Sequence, residues 1–532
     1  MIETLSDLIC RSDGRPDDAI AIKHKSTSLS YGELRSLVSA FAANILRLGL
    51  ARHDRVAIFA GKQPETVIAI LGTSLAGGVF VPVNSLLKPA QVAHILKDCD
   101  VRMLVTTAPR LASLGPVLSE CTNLRHVIIA GEHAAGQQEE HAVDVLAWED
   151  MPGGDPTPSR PRVIASDVAS ILYTSGSTGK PKGVVLSHTN ITVGAMSVAE
   201  YLENSPSDRI LAALPFSFDA GLSQLTTGLS VGATVILHDY LLPRDVVRIV
   251  QREQVTGLTG VPPLWIQLAE QDWPEGSTGS LRYFANTGGK MPRDTLARLR
   301  KIFPQASPFL MYGLTEAFRS SYLPPSEVDR RPDSIGKAIP NVELMVVDKG
   351  GRICEPGEIG ELVHRGPLVA LGYWNDPERT AQRFRPVPGQ PDGLPGQELA
   401  VWTGDSATID KDGFLYFVGR MDDMIKTSGY RVSPTEIEET AYDSGLVSEV
   451  VALGVPHRQL GQGIVLVAKS RKNGDQPTEE LLREMRPKVP NYMLPIAIRW
   501  KDSLPRNSNG KLDRKRMAEQ LRGLFDEERP DD

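Results

Sequence analysis

The chain has 532 residues, of which 41% are hydrophobic and 23% are charged, a balance typical of soluble globular proteins. Its length predicts more than one domain, and its four cysteines, which form no CxxC pair, argue against a disulfide framework or a zinc ribbon. The formal net charge of −7 argues against binding to the phosphate backbone of a nucleic acid. Since the sequence has neither a run of about 18 apolar residues nor a signal-peptide pattern, we expect a cytoplasmic protein that does not insert into membranes.

Helix-like and strand-like segments alternate through the first 300 or so residues. Ser30 and Glu33 form the pattern of a capping box, and apolar residues at helical spacing follow it as far as Gly49. A second helix is expected over residues 64–75. Strand-like runs occur at residues 56–60, 79–83, 101–106, 126–130, 210–213, 234–238, 258–259 and 281–285. Strands separated by helices predict βαβ units and covered parallel sheets.

The pattern changes after about residue 330. Shorter apolar runs and many Gly, Pro and Asp turns predict an antiparallel β subdomain over residues 335–419. Residues 420–532 again mix strands and helices. We therefore predict an α/β fold with a large N-terminal domain, residues 1–419, made of two parallel-type αβ subdomains plus the β subdomain. A small α+β C-terminal domain, residues 420–532, follows it.

The most informative segment is ILYTSGSTGKPKGVVLSH at residues 171–188. Glycines allow close approach of the backbone to a ligand, while hydroxyls, backbone N–H groups and lysines suit a polyphosphate. The segment is not a Walker A loop, because Thr174 and Pro181 stand where that motif needs Gly and Ser or Thr. The predicted phosphate contacts are Thr174, Ser175, Gly176, Ser177, Thr178, Gly179, Lys180 and Lys182.

Further motifs follow in order along the chain: YGLTE at 312–316, GELVHRGPLVALGYWNDPERTAQRF at 360–384, WTGD at 402–405, GRMDDMIKTSGYRVSPTEIE at 419–438 and LPRNSNGKLDR at 504–514. Together with the glycine-rich segment, these motifs resemble those of the adenylate-forming superfamily, which includes acyl-CoA synthetases, peptide-synthetase adenylation domains and luciferases. The resemblance covers essentially the whole chain.

The resemblance implies a reaction in two steps. A small carboxylic or amino acid attacks the α-phosphate of ATP, with Mg²⁺ as cofactor, and a pantetheine thiol of CoA or a carrier protein then takes the acyl group. Lys511 would bridge the carboxylate and the α-phosphate, because cations must offset the repulsion of two anions. Thr315 would donate its hydroxyl to the α-phosphate, and Glu316 would ligate the magnesium ion.

The same resemblance implies the nucleotide contacts. Tyr312, followed by Gly313, would stack on adenine, and Gly288 and Gly289 would allow the backbone to lie against the base. Asp405 would accept hydrogen bonds from the ribose hydroxyls. Arg420 would also contact the ribose.

The resemblance also implies that the small domain is mobile and turns between the two steps. Asp422 would lie at the hinge. Lys511 would serve adenylation, whereas the face around Gly429 would line the pantetheine tunnel during thioester formation. For Arg431, in that second face, a plain surface role stays open.

Substrate choice is less well defined by the sequence. Phe218-Asp219-Ala220 resembles a pattern of amino-acid-activating domains in which the aspartate pairs with the substrate ammonium, but Asp219 could instead be the N-cap of a helix. Gly221 departs from that pattern, which has serine. Lys290 could contact an acidic substrate group or be solvated.

Two functions therefore stay open. The first is an acyl-CoA synthetase type of ligase; the alternative is a stand-alone amino-acid adenylation enzyme that loads a carrier protein, with Asp219 binding the ammonium. A non-catalytic adenylate-binding protein is disfavoured by the presence of Lys511, Glu316 and Asp405. A luciferase-type oxygenase has no sequence feature in its favour.

Overall fold

The structure is a computed structural model, which describes residues 2–10, 16–131, 143–151, 159–174, 181–391, 393, 395–420, 424–472, 474–505 and 512–526. Eight of the predicted site residues lie outside these ranges: Ser175, Gly176, Ser177, Thr178, Gly179, Lys180, Asp422 and Lys511.

The helices of the described residues are α1 Asp7–Cys10, α2 Tyr31–Arg47, α3 Pro64–Leu75, α4 Pro89–Asp98, α5 Ala108–Leu118, α6 His188–Tyr201, α7 Asp219–Val231, α8 Pro243–Glu253, α9 Pro262–Ala269, α10 Arg293–Ile302, α11 Pro377–Arg383, α12 Pro434–Tyr442, α13 Thr478–Met485 and α14 Arg514–Gln520. Short 3₁₀ turns are formed by Thr315–Ala317, Pro325–Glu327 and Asn491–Met493.

The strands are β1 Ile20–His24, β2 Thr27–Ser30, β3 Arg55–Phe59, β4 Val79–Pro82, β5 Val101–Thr106, β6 His126–Ile129, β7 Asp144–Ala147, β8 Val168–Thr174, β9 Lys182–Ser187, β10 Arg209–Ala212, β11 Thr234–Leu237, β12 Gly257–Gly260, β13 Tyr283–Asn286, β14 Ser307–Tyr312, β15 Ser321–Leu323, β16 Ser334–Ala338, β17 Glu343–Val347, β18 Gly360–Arg365, β19 Gly372–Tyr373, β20 Phe384–Pro386, β21 Leu399–Ile409, β22 Leu415–Arg420, β23 Ile425–Thr427, β24 Tyr430–Val432, β25 Val447–His457, β26 Gly461–Ser470 and β27 Ala497–Trp500.

The first large sheet has the strand order β19-β9-β8-β4-β3-β5-β6-β7. Its strands from β8 through β4, β3 and β5 to β7 pair in parallel, as the alternation of helices and strands predicts. The predicted capping box is present at α2, where Glu33 N donates to Ser30 Oγ and Ser30 N donates to Glu33 Oε2. Since β8 and β9 pair antiparallel with Thr174 opposite Lys182, these two residues flank the glycine-rich segment.

The second large sheet joins two parts that the sequence treats as separate. Strands β14, β13, β12, β10, β11 and β1 lie side by side in this order and pair in parallel. Strands β15 to β18 and β20 to β22 pair antiparallel. Antiparallel β15 and β16 link the two parts into one continuous sheet. The predicted β subdomain therefore exists, but it extends the second αβ sheet.

The small domain forms around the long hairpin of β25 and β26. Strands β23, β24 and β27 complete its sheet, and α12 packs against its core through Ile437 and Ala441. In the large domain, the main buried cluster combines residues of both large sheets, including Phe80 of β4 and Phe309 of β14. Among the described helices, none is long and apolar enough to cross a membrane.

Candidate active site

Three elements bring Lys182, Glu316 and Tyr373 together. Lys182 begins β9, Glu316 lies in the 3₁₀ turn after β14, and Tyr373 ends β19, which pairs with β9. The Lys182 ammonium lies 2.9 Å from Glu316 Oε1 and donates to the Tyr373 hydroxyl at 2.7 Å. That hydroxyl in turn donates to Glu316 Oε1 at 2.7 Å. The carboxylate predicted to ligate magnesium is thus fixed by a lysine and a tyrosine.

The electrostatics of this group favour an ionised glutamate. Glu316 is 1% exposed, and burial alone would raise its pKa. The positive charges of Lys182, Arg383 and Arg431 outweigh that penalty and hold the pKa of Glu316 well below its ordinary value. Arg431 belongs to β24 of the small domain, so its charge acts on the large-domain site. Arg431 therefore does more than a plain surface residue, which was the alternative left open by the sequence.

The arrangement fits a magnesium ion that arrives with ATP. Mg²⁺ is usually held by one or two protein carboxylates and completes its shell with phosphate and water. In the part of the chain that the structure describes, no group of three or more His, Cys, Asp or Glu residues could form a protein cage for a metal. Glu316 is the described carboxylate that would hold the ion.

A second pair lies at the end of β14. The Tyr312 hydroxyl donates to Asp405 Oδ2 at 2.6 Å, and Asp405, in β21, is 4% exposed. Gly404, directly before Asp405, has φ of +67°, and a Cβ atom there would lie 2.7 Å from Arg383 Nη1. The residue predicted to stack on adenine and the residue predicted to bind the ribose are therefore in direct contact. Arg420 is opposite Asp405 in the ladder of β21 and β22.

The backbone around Gly288 and Gly289 meets the small domain. Gly288 has φ of +76°, and a Cβ atom there would lie 3.2 Å from Val261 Cγ1 and 3.8 Å from the carbonyl oxygen of Gly429. Gly429 has φ of +82°, and a Cβ atom on it would lie 2.9 Å from Val261 Cγ2. The small domain is thus docked with its Gly429 face on the large domain.

Side chains extend this domain interface. Phe218 contacts Tyr430 edge to face, with ring centroids 4.9 Å apart, and Tyr430 stacks on Tyr492 at 3.6 Å. Gln91 of α4 donates to Glu436 Oε1 of α12 at 3.0 Å. Phe218, predicted to contact the substrate, is therefore also a docking contact for the small domain.

Asp219 forms an ion pair that the sequence does not reveal. Arg319 Nη1 donates to Asp219 Oδ2 at 2.8 Å, and the Arg319 side chain is 3% exposed. Phe218 is the N-cap of α7 and Asp219 is its first residue, so the N-cap interpretation of Asp219 is wrong. Burial raises the pKa of Asp219, while the positive charge of Arg319 partly opposes that shift.

Three further predicted site residues make contacts only with neighbouring protein groups. Gly313 packs beside Arg319, because a Cβ atom there would lie 3.3 Å from Arg319 Cα. Thr315 begins the turn that carries Glu316. Lys290 is 70% exposed and pairs with Asp333 at 2.8 Å, so this ion pair does not support its predicted substrate contact.

The sequence interpretation missed three contributors to the site. Tyr373 belongs to the GYWN segment that supports the family resemblance, so it could have been found there. Arg319 follows Glu316 by three residues, but only the tertiary fold shows its partner. Arg383, at the end of α11, lies in the same segment, residues 360–384, but no role was assigned to it there.

Comparison with known proteins identifies the family. Residues 11–374 match the AMP-binding enzyme family, and residues 436–511 match the AMP-binding enzyme C-terminal domain. The chain belongs to this family. The predicted membership of the adenylate-forming superfamily is thereby confirmed.

Relatives of different activities match most of the chain. A feruloyl-CoA synthase of Amycolatopsis sp is 32% identical over 506 residues, which are 93% of this chain and 94% of the relative. An L-proline–[L-prolyl-carrier protein] ligase of Streptomyces coelicolor is 32% identical over 508 residues, 93% of this chain and 92% of the relative. The chain also matches linear gramicidin synthase subunits D and C of Brevibacillus parabrevis, but it spans only 9% and 6% of their lengths.

Solved structures confirm the fold. The amide bond synthetase McbA from Marinactinospora thermotolerans superposes with a TM-score of 0.85, at 24% identity, over 97% of this chain and 99% of that one. The predicted α/β fold with a large N-terminal and a small C-terminal domain is confirmed by this match.

Proposed function

We propose that the chain is an AMP-forming acid–thiol ligase, which activates a carboxylic acid as acyl-AMP and transfers the acyl group to a pantetheine thiol. The observation that carries this proposal is the buried, ionised Glu316 held by Lys182 and Tyr373 beside the Tyr312–Asp405 pair. Such a site suits a magnesium-bound triphosphate next to an adenosine. The similarity to a feruloyl-CoA synthase and to an L-proline–[L-prolyl-carrier protein] ligase supports the same chemistry.

In the first step, a carboxylate oxygen of the acid bonds to the α-phosphorus of MgATP. The bond from that phosphorus to the bridging oxygen of pyrophosphate breaks, and pyrophosphate leaves with the electron pair. Asp405 and Tyr312 hold the adenosine, and Lys182 supplies positive charge beside Glu316. We assign Lys511 to the bridge between the two reacting anions, in accordance with its motif.

In the second step, the thiol sulfur bonds to the acyl carbon, the bond from that carbon to the AMP oxygen breaks, and the thiol proton passes to solvent. AMP leaves with the electron pair. The docked small domain supports this step, because the close contact of Gly429 with Val261 presents its backbone beside Gly288. We propose that Asp422 is the hinge about which this domain turns between the steps.

CoA and carrier proteins share the pantetheine thiol, and we propose that this thiol is the acceptor. The alternative, an amino-acid adenylation enzyme that loads a carrier protein, needs Asp219 as the partner of the substrate ammonium. Because Arg319 already neutralises Asp219, the substrate of such an enzyme must bring a further negative charge.

The test is acid-dependent exchange of labelled pyrophosphate into ATP, measured over amino acids, fatty acids and aryl acids. We expect exchange with at least one acid class and AMP as the product. Glu316→Gln should lower the exchange rate by about 100-fold, as expected for loss of a preorganised charge at a phosphoryl-transfer site. Glu358→Gln, which alters an exposed carboxylate paired with Arg352, is the matched control and should leave the rate unchanged. Formation of ADP, or full exchange in Glu316→Gln, would contradict the proposal.

A further inference from the structure

Arg319 is a buried cation whose hydrogen-bonding capacity is only partly used. Its Nη1 donates to Asp219 Oδ2 at 2.8 Å and to the Phe318 carbonyl oxygen at 3.0 Å. Its Nε is buried, with no hydrogen-bond partner among the described residues. A buried donor without an acceptor costs about 1–3 kcal/mol, so an acceptor that a ligand brings to this nitrogen would be stabilised.

The backbone before Arg319 is strained in the same place. Phe318 has φ of +53° and ψ of −54°, and Arg319 N donates to the Ala317 carbonyl oxygen at 2.5 Å. This is a γ-turn with positive φ, a rare conformation that costs about 1–3 kcal/mol. Gly194 of α6 makes room for the Phe318 ring, since a Cβ atom there would lie 2.6 Å from Phe318 Cδ1. The strained turn fixes Arg319 opposite the start of α7.

The space beyond Arg319 is small. A cavity of about 10 Å³ lies between α6, α7 and the second sheet, and its polar lining is formed by Arg319, Ser223, Gln224, Thr227, Thr259 and Tyr283. This volume is enough for about one water molecule. A long acyl tail cannot extend past the guanidinium, so a substrate that reaches Arg319 must end there.

The Asp219–Arg319 pair has no evident structural purpose. Buried ion pairs contribute little net stability, because desolvation of the two charges offsets their attraction. The side chain of Asp219 is 17% exposed, and the negative charge of Glu316 contributes to raising its pKa. Asp219 is therefore the member of the pair that is nearer to the proposed magnesium ligand. A function in recognition therefore explains the pair better than stability does.

Charge balance indicates what this pair would recognise. An ammonium alone would meet Asp219 but would add a net positive charge beside Arg319. A carboxylate alone would meet Arg319 but would add a net negative charge beside Asp219. A ligand with both groups gives each buried charge an opposite partner and leaves the net charge at zero.

We propose that Asp219 and Arg319 bind the ammonium and one carboxylate of a short amino dicarboxylic acid, whose other carboxylate becomes adenylated. This inference rests on the proposed ligase function and names the class of acid for the same site. Either carboxylate of such an acid can be the reacting one. The pair thus determines specificity by binding both the ammonium and the second carboxylate of the substrate.

The test compares acids that differ by one group in the pyrophosphate exchange assay. Aspartate carries all three charged groups, succinate lacks the ammonium, and alanine and β-alanine each lack one carboxylate. We expect kcat/KM for aspartate or glutamate to exceed the values for succinate, alanine and β-alanine by about 100-fold, because each analogue leaves a buried charge without its partner. Hexanoate, which brings neither group, should be inactive.

Variants assign the two contacts separately. Asp219→Asn should reduce the ratio of kcat/KM for aspartate to that for succinate to about threefold or less. Arg319→Gln should likewise reduce the ratios of aspartate to β-alanine and to alanine to about threefold or less. Arg319→Lys keeps the positive charge and should retain part of the preference for aspartate over β-alanine and alanine. Such retention would show that the loss of preference in Arg319→Gln does not come from a folding defect. Arg300→Gln removes an exposed arginine paired with Asp329 and should change neither ratio.

The outcomes separate the two proposals. Exchange with hexanoate or aryl acids at rates equal to those with aspartate would overturn the amino dicarboxylate inference and leave the ligase function standing. Unchanged preference ratios in Asp219→Asn and Arg319→Gln would also overturn it. Exchange with none of the acids would overturn the proposed ligase function itself.

Discussion

At Gly429, the lack of a side chain decides how closely the small domain approaches the large one. A Cβ atom there would lie 2.9 Å from Val261 Cγ2, and φ of +82° disfavours any other residue. We predict that Gly429→Ala slows thioester formation from supplied acyl-AMP by about tenfold or more, which corresponds to roughly 1.4 kcal/mol. Pyrophosphate exchange should be preserved, because in the proposed mechanism the Gly429 backbone takes part in thioester formation and not in adenylation.

Gly461 provides the matched control in the same domain. It has φ of +79°, yet a Cβ atom there would meet only the Lys426 carbonyl oxygen, at 3.4 Å. Gly461→Ala therefore carries similar backbone strain without the contact to Val261. Equal losses in both half-reactions, or equal effects of the two variants, would show that Gly429 has only a general structural role.

At the scale of an element, the start of α7 depends on another glycine. A Cβ atom on Gly221 would lie 1.9 Å from the Pro215 carbonyl oxygen. The loop before α7 is itself held from the other side, where Lys62 donates to the carbonyl oxygens of Ala213 and Leu214 at 2.7 and 3.1 Å. This close packing explains why glycine replaces the serine expected from the amino-acid-activating pattern.

We predict that Gly221→Ala destabilises the large domain by about 2 kcal/mol or more, because backbone atoms must move to relieve the overlap. The midpoint of urea unfolding measures the effect. Gly396, in the loop before β21, is the control, because a Cβ atom there would have no neighbour within 4 Å and its φ is not positive. Gly396→Ala should therefore not lower the midpoint. A Gly221→Ala midpoint equal to that of the unaltered chain would refute this explanation of the departure.

Local elements could be predicted from the sequence because their signals are local. The helix over residues 64–75 matches α3, and the capping box of Ser30 and Glu33 sets the start of α2. The link of β15 and β16 to β22 could not be predicted, because β16 and β22 are about 80 residues apart and nothing in either strand specifies its partner.

The site residues also divide into those that sequence motifs identify and those that only the folded structure identifies. The motifs name Glu316, Tyr312 and Asp405, and the structure brings the last two into contact. Arg319 reaches its position through a positive φ at Phe318, a residue type that rarely adopts this conformation. No propensity or spacing predicts that turn, so the ion pair with Asp219 emerges only from the folded chain.

At the scale of the whole molecule, domain docking should depend on pH through Glu436. Burial against the large domain raises the pKa of Glu436 from 4.5 to about 7, and the hydrogen bond from Gln91 partly opposes this shift. We expect undocking to remove the large domain, including Gln91, from the Glu436 carboxyl, so that the docked form binds the proton more tightly than the undocked form. Docking is therefore strongest below about pH 4.5 and weakens as the pH rises through 7.

Energy transfer between dyes can follow this docking. Cysteines introduced at the exposed positions Ser113 and Ser448, in a Cys10→Ser background, place one dye on each domain. We expect transfer to fall between pH 5.5 and 8.5, and Glu436→Gln to abolish that fall. Glu479→Gln, an exposed change on α13, should retain it. A pH dependence that persists in Glu436→Gln would assign it to another group.

In the proposed mechanism, an oxygen of the acid bonds to the α-phosphorus and is left on AMP when the thiol takes the acyl group. An acid labelled with ¹⁸O in its carboxylates, incubated with MgATP and CoA or pantetheine, tests this in one mass spectrum of the released nucleotide. We expect AMP with one ¹⁸O atom for each thioester formed, together with unlabelled pyrophosphate. Unlabelled AMP, or ADP with labelled phosphate, would contradict it.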